Sequence, residues 1–525
     1  MARSLLRRAV LAGTALTLVL TGCGGGDDDD DAVASGEGAA VSDYDRDATL
    51  RVALNTPPPT LDPHKTASPN ALHPYGTLVY DRLTQVGKDL EIQPMLATEW
   101  QTAEDGRSVL FTLREGVTFS DGNPVDAEAI KANFDRALTD PQSTVKAALA
   151  SIASVDVVDP SSVRITATGT AAVLPAVVSG VETSIVSPAA FDNPDLDVKP
   201  VGSGPYELEE LTLGETATFV RDEDYWDPKA APAARIEMRY IPDPNARRSA
   251  LQSGQIDIAN TSESEVDALE HLDGVTVHNY PPAVLTNFRL NTGRPNLDKP
   301  EVRQALNYAI DRKALNEGLL DGQCDPIGQP LPEIYDGHLT DPPIDYTYDP
   351  EKARELLAEA GLADGFSMTM LSGAGTEPFE SIGTALQAQF AEVGVDLQIV
   401  SQTAPAIFTN WATGAYDSYI IVSATSPSAL ITMRLTYQVP SRFPGPRPAE
   451  FDAALDKANT PGLPEEEYVA ALEEASSIAV EEAMNGFVCG RPTQVVATDD
   501  VLGADTMGVA YYAGVLDLRY VGLAG

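Results

Sequence analysis

The sequence has few of the residues that most often bind metals or carry redox chemistry. Its 525 residues include 5 histidines and 3 cysteines. His64 and His73 lack the spacing of metal ligands, and no histidine cluster accompanies the cysteines. Cys324 and Cys489 lie too far apart for a C-x-x-C redox motif. We therefore expect neither a metal site nor a cofactor.

Basic residues are also scarce. Lysine and arginine total 35 against 78 acidic residues, which gives a formal net charge of −43. Nucleic-acid binding needs Lys and Arg to displace counterions from phosphates, and anionic lipid surfaces also attract basic patches. The charge balance argues against both partners. Its main effect is solubility.

The apolar run near the amino terminus is too short for a transmembrane helix. It extends from Ala9 to Leu20 and follows Arg3, Arg7 and Arg8. A span of the ~30 Å hydrocarbon core needs about 20 apolar residues, whereas a charged start and a shorter apolar run are typical of an export signal. Residues 1–22 are therefore predicted to be a signal peptide.

Cys23 directly follows this segment. The preceding Leu20-Thr21-Gly22 resembles the lipobox of bacterial lipoproteins, in which the cysteine is acylated and becomes the mature amino terminus. Two or three acyl chains hold a protein at a membrane, whereas one alone binds only marginally. Residues 23–48 are rich in Gly, Ser, Ala and Asp, as in a flexible tether. The sequence predicts an extracytoplasmic lipid-anchored protein; an ordinary secretory signal with an incidental cysteine is the alternative.

From Thr49 onward, helix and strand patterns alternate. Asp126 is placed to cap one helix, and Asp298 with Glu301 has the spacing of a capping box before a second. In "YDPEKARELLAEAGL", Asp349 and Gly361 mark the two ends of a third helix. The order "FSMTMLSG", helix, "VDLQIV" predicts a right-handed βαβ unit with parallel strands. The fold class is therefore α/β.

The two cysteines beyond Cys23 are predicted to form a disulfide. An exported chain folds in an oxidising compartment, where two cysteines are more often bridged than reactive. A Cys324–Cys489 bridge would tie the second half of the chain to its last strands.

Nine segments occur in the order seen in one protein family. They are "LDPHK" from Leu61, "VYDRLTQV" from Val79, "PMLATEW" from Pro94, "FTLREGVTFSDGNPVDAEAIKANFDRA" from Phe111, "VGSGPYELEE" from Val201, "DYWDP" from Asp224, "ALQSGQIDIA" from Ala250, "VRQALNYAIDRKAL" from Val302 and "YDPEKARELLAEAGL" from Tyr348. Together they closely resemble the large extracytoplasmic solute-binding proteins of ABC importers, family 5 type, which include oligopeptide-, dipeptide- and nickel-binding proteins.

The resemblance implies a two-lobed periplasmic-binding-protein clamshell of class II type, with an extra subdomain in the first lobe. Lobe I would comprise residues 49–286 with a return at 491–525, and lobe II residues 287–490. The chain would cross between lobes near "TNFRLN" and "GFVCGRP". Ligand would bind between the lobes, and closure requires a higher affinity for the closed state.

The implied function is the substrate-binding component of an ABC importer, a monomer that delivers its solute to a membrane permease. An exported enzyme is the first alternative, but Gly202-Ser203-Gly204 follows Val201 and so lacks the G-x-S-x-G of a nucleophile elbow. We expect no enzymatic activity. A sensor lipoprotein that has kept the clamshell is the second alternative.

Two departures from peptide-binding relatives bear on the ligand. Those relatives hold the peptide's amino group with an aspartate after a strand that corresponds here to "GAYDSYIIV", but "SATSPSAL" follows. Dipeptide binders hold the carboxylate with an arginine in a loop that reads "SGAGTEPFE" here. Because buried charges need partners, these absences favour a neutral or polyol-like solute or an oligosaccharide. A longer peptide is the alternative, and nickel is disfavoured.

Ten positions within these segments are predicted to contact ligand. They are Thr56, His73, Asn287, Arg289, Glu377, Phe379, Trp411, Ser423, Thr425 and Ser426. For Trp411 and Arg289, packing or a surface ion pair is the competing interpretation.

Overall fold

The computed structural model describes residues 40–66, 68–261, 265–374, 378–423, 426–507 and 516–525. Residues 37–525 belong to one compact unit. The predicted signal peptide and Cys23 lie outside the described residues.

The described chain alternates strands and helices throughout. The strands are β1 (Thr49–Leu54), β2 (Thr84–Val86), β3 (Ile92–Pro94), β4 (Ala97–Thr102), β5 (Ser108–Leu113), β6 (Ile152–Asp159), β7 (Ser162–Ala167), β8 (Tyr206–Thr212), β9 (Thr216–Arg221), β10 (Arg235–Tyr240), β11 (Ile258–Asn260), β12 (Val275–Asn279), β13 (Val284–Leu290), β14 (Asp325–Pro326), β15 (Phe366–Gly373), β16 (Val395–Gln402), β17 (Ser418–Ser423), β18 (Asn485–Arg491), β19 (Gln494–Thr498), β20 (Val501–Leu502) and β21 (Gly522–Leu523).

The α-helices are α1 (Pro69–Val79), α2 (Ala127–Thr139), α3 (Leu174–Val177), α4 (Pro244–Gln252), α5 (Val266–Glu270), α6 (Pro300–Tyr308), α7 (Arg312–Leu319), α8 (Pro350–Glu359), α9 (Phe379–Glu392), α10 (Ala404–Trp411), α11 (Ala429–Met433), α12 (Ala449–Ala458) and α13 (Glu465–Glu481). A π-helical turn (Arg434–Gln438) continues α11. Short 3₁₀ turns are Val41–Asp43, Ala171–Val173, Val181–Thr183, Pro188–Ala190, Ala504–Thr506 and Leu518–Tyr520.

A seven-stranded sheet is built from the first half of the chain and one late strand. Its order is β12-β19-β11-β1-β10-β9-β8. The central strand β1 runs parallel to β10 and β11, and β19 pairs antiparallel with β11 and β12. Apolar residues of the sheet and α1 pack with Leu516, Leu518 and Val521 from the end of the chain. The last residues therefore return to the first half of the fold.

A six-stranded sheet is built from the second half, in the order β14-β18-β13-β17-β15-β16. Strands β15 and β16 are parallel over eight residue pairs and are connected by α9, which confirms the predicted strand–helix–strand unit. All seven residues of β13 are buried, because this strand lies between β17 and β18.

A smaller four-stranded sheet, β4-β5-β7-β6, carries α2 on one face. Asp126 caps α2 by accepting a hydrogen bond from the Ala129 backbone at 2.9 Å, as predicted. The apolar core of this sheet is continuous with residues of α11, α12 and α13 from the second half of the chain, including Met433, Phe451 and Leu472. The small sheet therefore shares its core with the opposite half of the molecule.

Two other helix starts test the sequence patterns. Asp349 accepts from the Lys352 backbone at 2.9 Å, and Gly361 follows α8 with φ of 80°, so this helix has the predicted cap and terminator. The capping box predicted for Asp298 is wrong. Helix α6 begins at Pro300 with Lys299 at the N-cap, because proline is favoured at the first helical position.

A disulfide joins Cys324 to Cys489, with a Cα–Cα distance of 5.7 Å. Cys324 ends the loop after α7, and Cys489 lies in β18 opposite Pro326 of the edge strand β14. The bridge therefore covalently fastens the edge of the six-stranded sheet.

Removing this bridge should destabilise the protein. A disulfide that closes a long loop contributes roughly 2–4 kcal/mol, largely by restricting the unfolded chain. We expect the C324S/C489S double variant to unfold at a lower urea concentration than the wild type. The wild type unfolded in a reducing agent should match the double variant; an equal midpoint for the oxidised wild type and the variant would contradict a structural bridge.

Candidate functional site

The chain passes between the two large sheets twice, at adjacent places. The first crossing is residues 280–283, from β12 to β13, and the second is residues 492–493, from β18 to β19. The Tyr280 backbone donates to the Thr493 carbonyl at 2.9 Å, so the two crossings are hydrogen-bonded side by side. Pro281 and Pro282 restrict φ within the first crossing.

Paired, short crossings of this kind are typical of the hinges between domains. The first crossing ends a few residues before the predicted boundary at 286/287, because Val284 already pairs within the six-stranded sheet. A further contact spans the hinge: the Gln494 side chain donates to Gln323 at 2.9 Å, next to the disulfide.

Away from the hinge, the small sheet contacts the second half of the chain closely. The Thr170 backbone donates to Asn459 Oδ1 at 3.3 Å. A Cβ placed on Gly106 would lie 1.8 Å from the Gly462 backbone nitrogen, so no side chain fits there. A cavity of about 300 Å³ lies between the two halves of the chain, which line it through Leu90, Pro175, Tyr335 and Tyr468.

Asn287 and Arg289 lie on β13, and their predicted ligand contact stays a prediction. They are 1 % and 3 % exposed. Arg289 Nη1 donates to the Arg442 carbonyl at 3.0 Å, and its guanidinium lies 5.7 Å from the centre of the Tyr419 ring. Arg289 thus holds the loop after the π-helical turn against the six-stranded sheet.

Trp411 and Ser426 occupy packing positions. Trp411 is 1 % exposed, stacks against Tyr419 at 4.6 Å between ring centres and donates its indole N–H to the Arg442 carbonyl. Ser426 accepts from the Ser428 backbone at the start of α11. The polar atoms of both residues bind neighbouring protein groups, and their predicted ligand contacts stay predictions.

The other predicted contacts are spread over both halves of the molecule. Thr56 is exposed after β1 and donates to Asn55 at 3.2 Å. Phe379 begins α9 and lies beneath the Arg491 guanidinium, 5.7 Å from the ring centre. The backbone of Ser423 ends β17 opposite Leu285. Glu377 and Thr425 lie outside the described residues, so their predicted roles stay predictions.

His73 is part of a buried polar cluster in the first half that sequence analysis missed. At its centre is Asp81, which forms an ion pair with Arg519 at 3.2 Å, and neither side chain is exposed. Tyr225, Trp226 and Ser203 also donate to the Asp81 carboxylate, at 2.9, 3.0 and 3.1 Å.

Four donors satisfy this buried carboxylate, which is the condition under which a buried ion pair is tolerated. Burial acts to lower the pKa of Arg519, but Tyr225 and Asp81 outweigh it and hold that pKa above its ordinary value. The signal in the sequence was the pair Asp81-Arg82 within the otherwise apolar "LVYDRL".

The "GSG" segment explains how Ser203 reaches Asp81. A Cβ on Gly202 would lie 1.9 Å from the Val79 carbonyl oxygen, so glycine is required for this approach. The Gly204 backbone donates to the same carbonyl at 3.1 Å. The segment fastens the end of α1, and its Ser203 hydroxyl donates to Asp81.

A second buried group lies beside the cluster. Arg136 Nη1 is 2.8 Å from His64 Nδ1 and 2.9 Å from Asp62. A guanidinium only donates, so Nδ1 must be an unprotonated acceptor. Burial, reinforced by Arg136, lowers the pKa of His64 to about 4; burial and Arg82 lower that of His73 to about 3.

The described residues contain neither a metal-binding group nor a membrane-spanning helix. No group of three or more His, Cys, Asp or Glu side chains there is arranged to bind a metal ion. In the same residues, no helix has the length and apolarity needed to cross a membrane.

Sequence comparison connects the chain to known proteins. Residues 91–438 match the family model for bacterial extracellular solute-binding proteins, family 5 (middle region). The glutathione-binding protein GsiB of Salmonella paratyphi A is 32% identical over 369 residues, which cover 68% of this chain and 70% of GsiB.

Structure comparison agrees. The periplasmic binding protein DppA of Helicobacter pylori, solved with the peptide STSA, has a TM-score of 0.77 at 25% identity and covers 92% of this chain and 99% of its own. NikA of Brucella suis, solved with Fe(III)-EDTA, has a TM-score of 0.80 at 24% identity, covering 91% and 100%.

His64, which is buried, and His73, whose Nε2 atom is buried, should make stability depend on pH. Each binds a proton readily only when unfolded, with a pKa near 6.5. The contribution of the two histidines to the free energy of unfolding is therefore complete above pH ~6.5. It is lost as the pH falls towards about 4, by up to ~1.4 kcal/mol per pH unit for each histidine. Urea unfolding at several pH values between 7.5 and 4.5 measures this slope.

The variant H64N retains an acceptor for Arg136 and should have a shallower slope. H271N, at an exposed histidine with a side chain 75% accessible, is the matched control and should follow the wild type. A slope for H64N equal to that of the wild type would show that His64 is not held neutral.

Proposed function

Because this chain belongs to the bacterial extracellular solute-binding proteins of family 5, we propose that it binds a peptide-like solute between its two lobes. It is the substrate-binding component of an ABC importer, and it works with a membrane permease. The match over residues 91–438 carries this conclusion, since it extends through most of both sheets. The family resemblance read from the sequence and the α/β clamshell are both confirmed.

The division into lobes remains a proposal. The paired crossings at residues 280–283 and 492–493 support it, because each lobe then contains one large sheet. The return of residues 516–525 to the first lobe is supported by the buried Asp81–Arg519 ion pair. The small sheet is the extra subdomain of the first lobe by chain order.

The neutral or polyol-like ligand expected from the sequence is not supported. GsiB is a glutathione-binding protein and DppA was solved with a peptide, so the oligopeptide alternative fits better. The expectation of a neutral ligand rests on two segments of the second lobe and does not consider the charged groups of the first lobe. A peptide needs partners for its charged ends, and those partners can come from either lobe.

The ligand class can be tested on the full chain purified in detergent. After denaturation, mass spectrometry should detect co-purified peptides, and calorimetric titration should show binding of glutathione, Met-Leu or Ser-Thr-Ser-Ala. Maltose is the matched neutral control and should not bind. Binding of maltose with no response to any peptide would restore the neutral-solute expectation.

Membrane attachment through Cys23 is a separate proposal. Its support is the apolar segment, the small residues before Cys23 and the tether composition of residues 24–48. The variant C23A should therefore move from the membrane fraction to the soluble extracytoplasmic fraction, whereas C324S/C489S should stay membrane-bound. Retention of C23A at the membrane would exclude acylation as the anchor.

A further inference from the structure

Arg82 is buried without the partners that a buried guanidinium needs. It is 2 % exposed. Within the described part of the chain, its Nε and Nη1 atoms have no hydrogen-bond partner. The Nη2 atom lies 3.9 Å from Asp517 Oδ2, which is an ion-pair distance and too long for a hydrogen bond.

Another buried arginine in this fold has hydrogen-bond acceptors for its guanidinium group. Arg312 is 7 % exposed and donates to the backbone carbonyls of Ile327, Phe487 and Tyr346 at 3.1, 2.9 and 2.8 Å. Proteins rarely bury a charge without such acceptors, because leaving it unpaired costs more than most single contacts contribute. Among the described residues, Arg82 therefore lacks the acceptors that Arg312 has.

The groups around Arg82 add further unsatisfied atoms. His73 Nε2 and Arg519 Nε are buried without partners among the described residues, and so is Oε2 of Glu182. Burial and the neighbouring Arg519 lower the pKa of Arg82 to about 10, so it remains a cation at neutral pH. Burial raises the pKa of Glu182.

The cluster is not sealed from solvent. His73 is partly exposed, and the Asp517 side chain is 13% accessible. These two residues therefore give the cluster contact with solvent. A planar guanidinium binds a carboxylate through two parallel hydrogen bonds, either side-on from Nε and Nη2 or end-on from Nη1 and Nη2, so one carboxylate would supply acceptors for two of the three nitrogens of Arg82.

We propose that Arg82 binds the carboxylate of the peptide-like solute, with His73 beside it as a second polar contact. This inference rests on the proposed function, and it assigns to the first lobe the carboxylate anchor that the second lobe lacks. A free small carboxylate would be bound by the same chemistry, so the experiment separates the two sources.

The test compares the wild type with R82M, which keeps an unbranched apolar side chain and removes the charge. Without ligand, R82M should unfold at the same or a higher urea concentration, because it removes an unpaired buried charge. A clearly lower midpoint would mean that Arg82 is a structural residue and would overturn the proposal.

Binding of Met-Leu and of its carboxamide supplies the second measurement. The affinity of Met-Leu for R82M should be about 10- to 100-fold lower than its affinity for the wild type, because a charge-assisted pair of hydrogen bonds is lost. The carboxamide should bind both proteins with similar, weak affinity. R235Q removes a partly exposed surface arginine and should bind like the wild type.

The outcomes separate this inference from the ligand proposal. Equal affinity of wild type and R82M for Met-Leu would overturn the role of Arg82 and leave the peptide ligand standing. If no peptide binds the wild type, the ligand proposal fails. The role of Arg82 is then tested by comparing the melting temperature in sodium acetate with that in sodium chloride at the same concentration. A rise in melting temperature that is specific to acetate and lost in R82M supports a carboxylate site for a free anion; no difference overturns it.

Discussion

The two crossings between the large sheets are the constraint on which the rest of this molecule depends. A backbone hydrogen bond joins Tyr280 to Thr493, so the segments that could act as a pivot are adjacent and short. A pair of neighbouring short segments permits rotation about one line and little else. The disulfide fastens the edge of the six-stranded sheet beside this line, and the Gln494–Gln323 contact joins the two sides of the crossings there.

Elements of the fold that depend on neighbouring residues in the chain could be predicted from the sequence. The caps at Asp126 and Asp349 and the parallel pair β15–β16 depend on residues close together in the chain, and all three were predicted correctly. The capping box at Asp298 failed because Pro300 fixes the helix start two residues later. The order of the nine family-like segments was needed to predict the two lobes, since no local pattern specifies how distant sheets are connected.

The candidate site was less accessible to sequence reasoning. Trp411 and Arg289 have residue types typical of binding sites, yet both donate to the Arg442 carbonyl, a partner more than 30 residues away from Trp411 and over 150 from Arg289. In contrast, nothing in the sequence distinguishes the pairing of Arg82 from that of the other arginines. Whether a charge is paired depends on tertiary neighbours such as Asp517 and Arg519, which a single sequence does not place.

The apolar core that the small sheet shares with α11, α12 and α13 has a mechanical consequence. Separating these two parts would expose Phe451, Leu472 and their partners to water, at a free-energy cost proportional to the area uncovered. The small sheet and these helices are therefore coupled by a shared core although they are not contiguous in the chain. When the molecule releases its cargo, the small sheet is expected to travel with the helices of the second lobe, and the seven-stranded sheet to swing away from both.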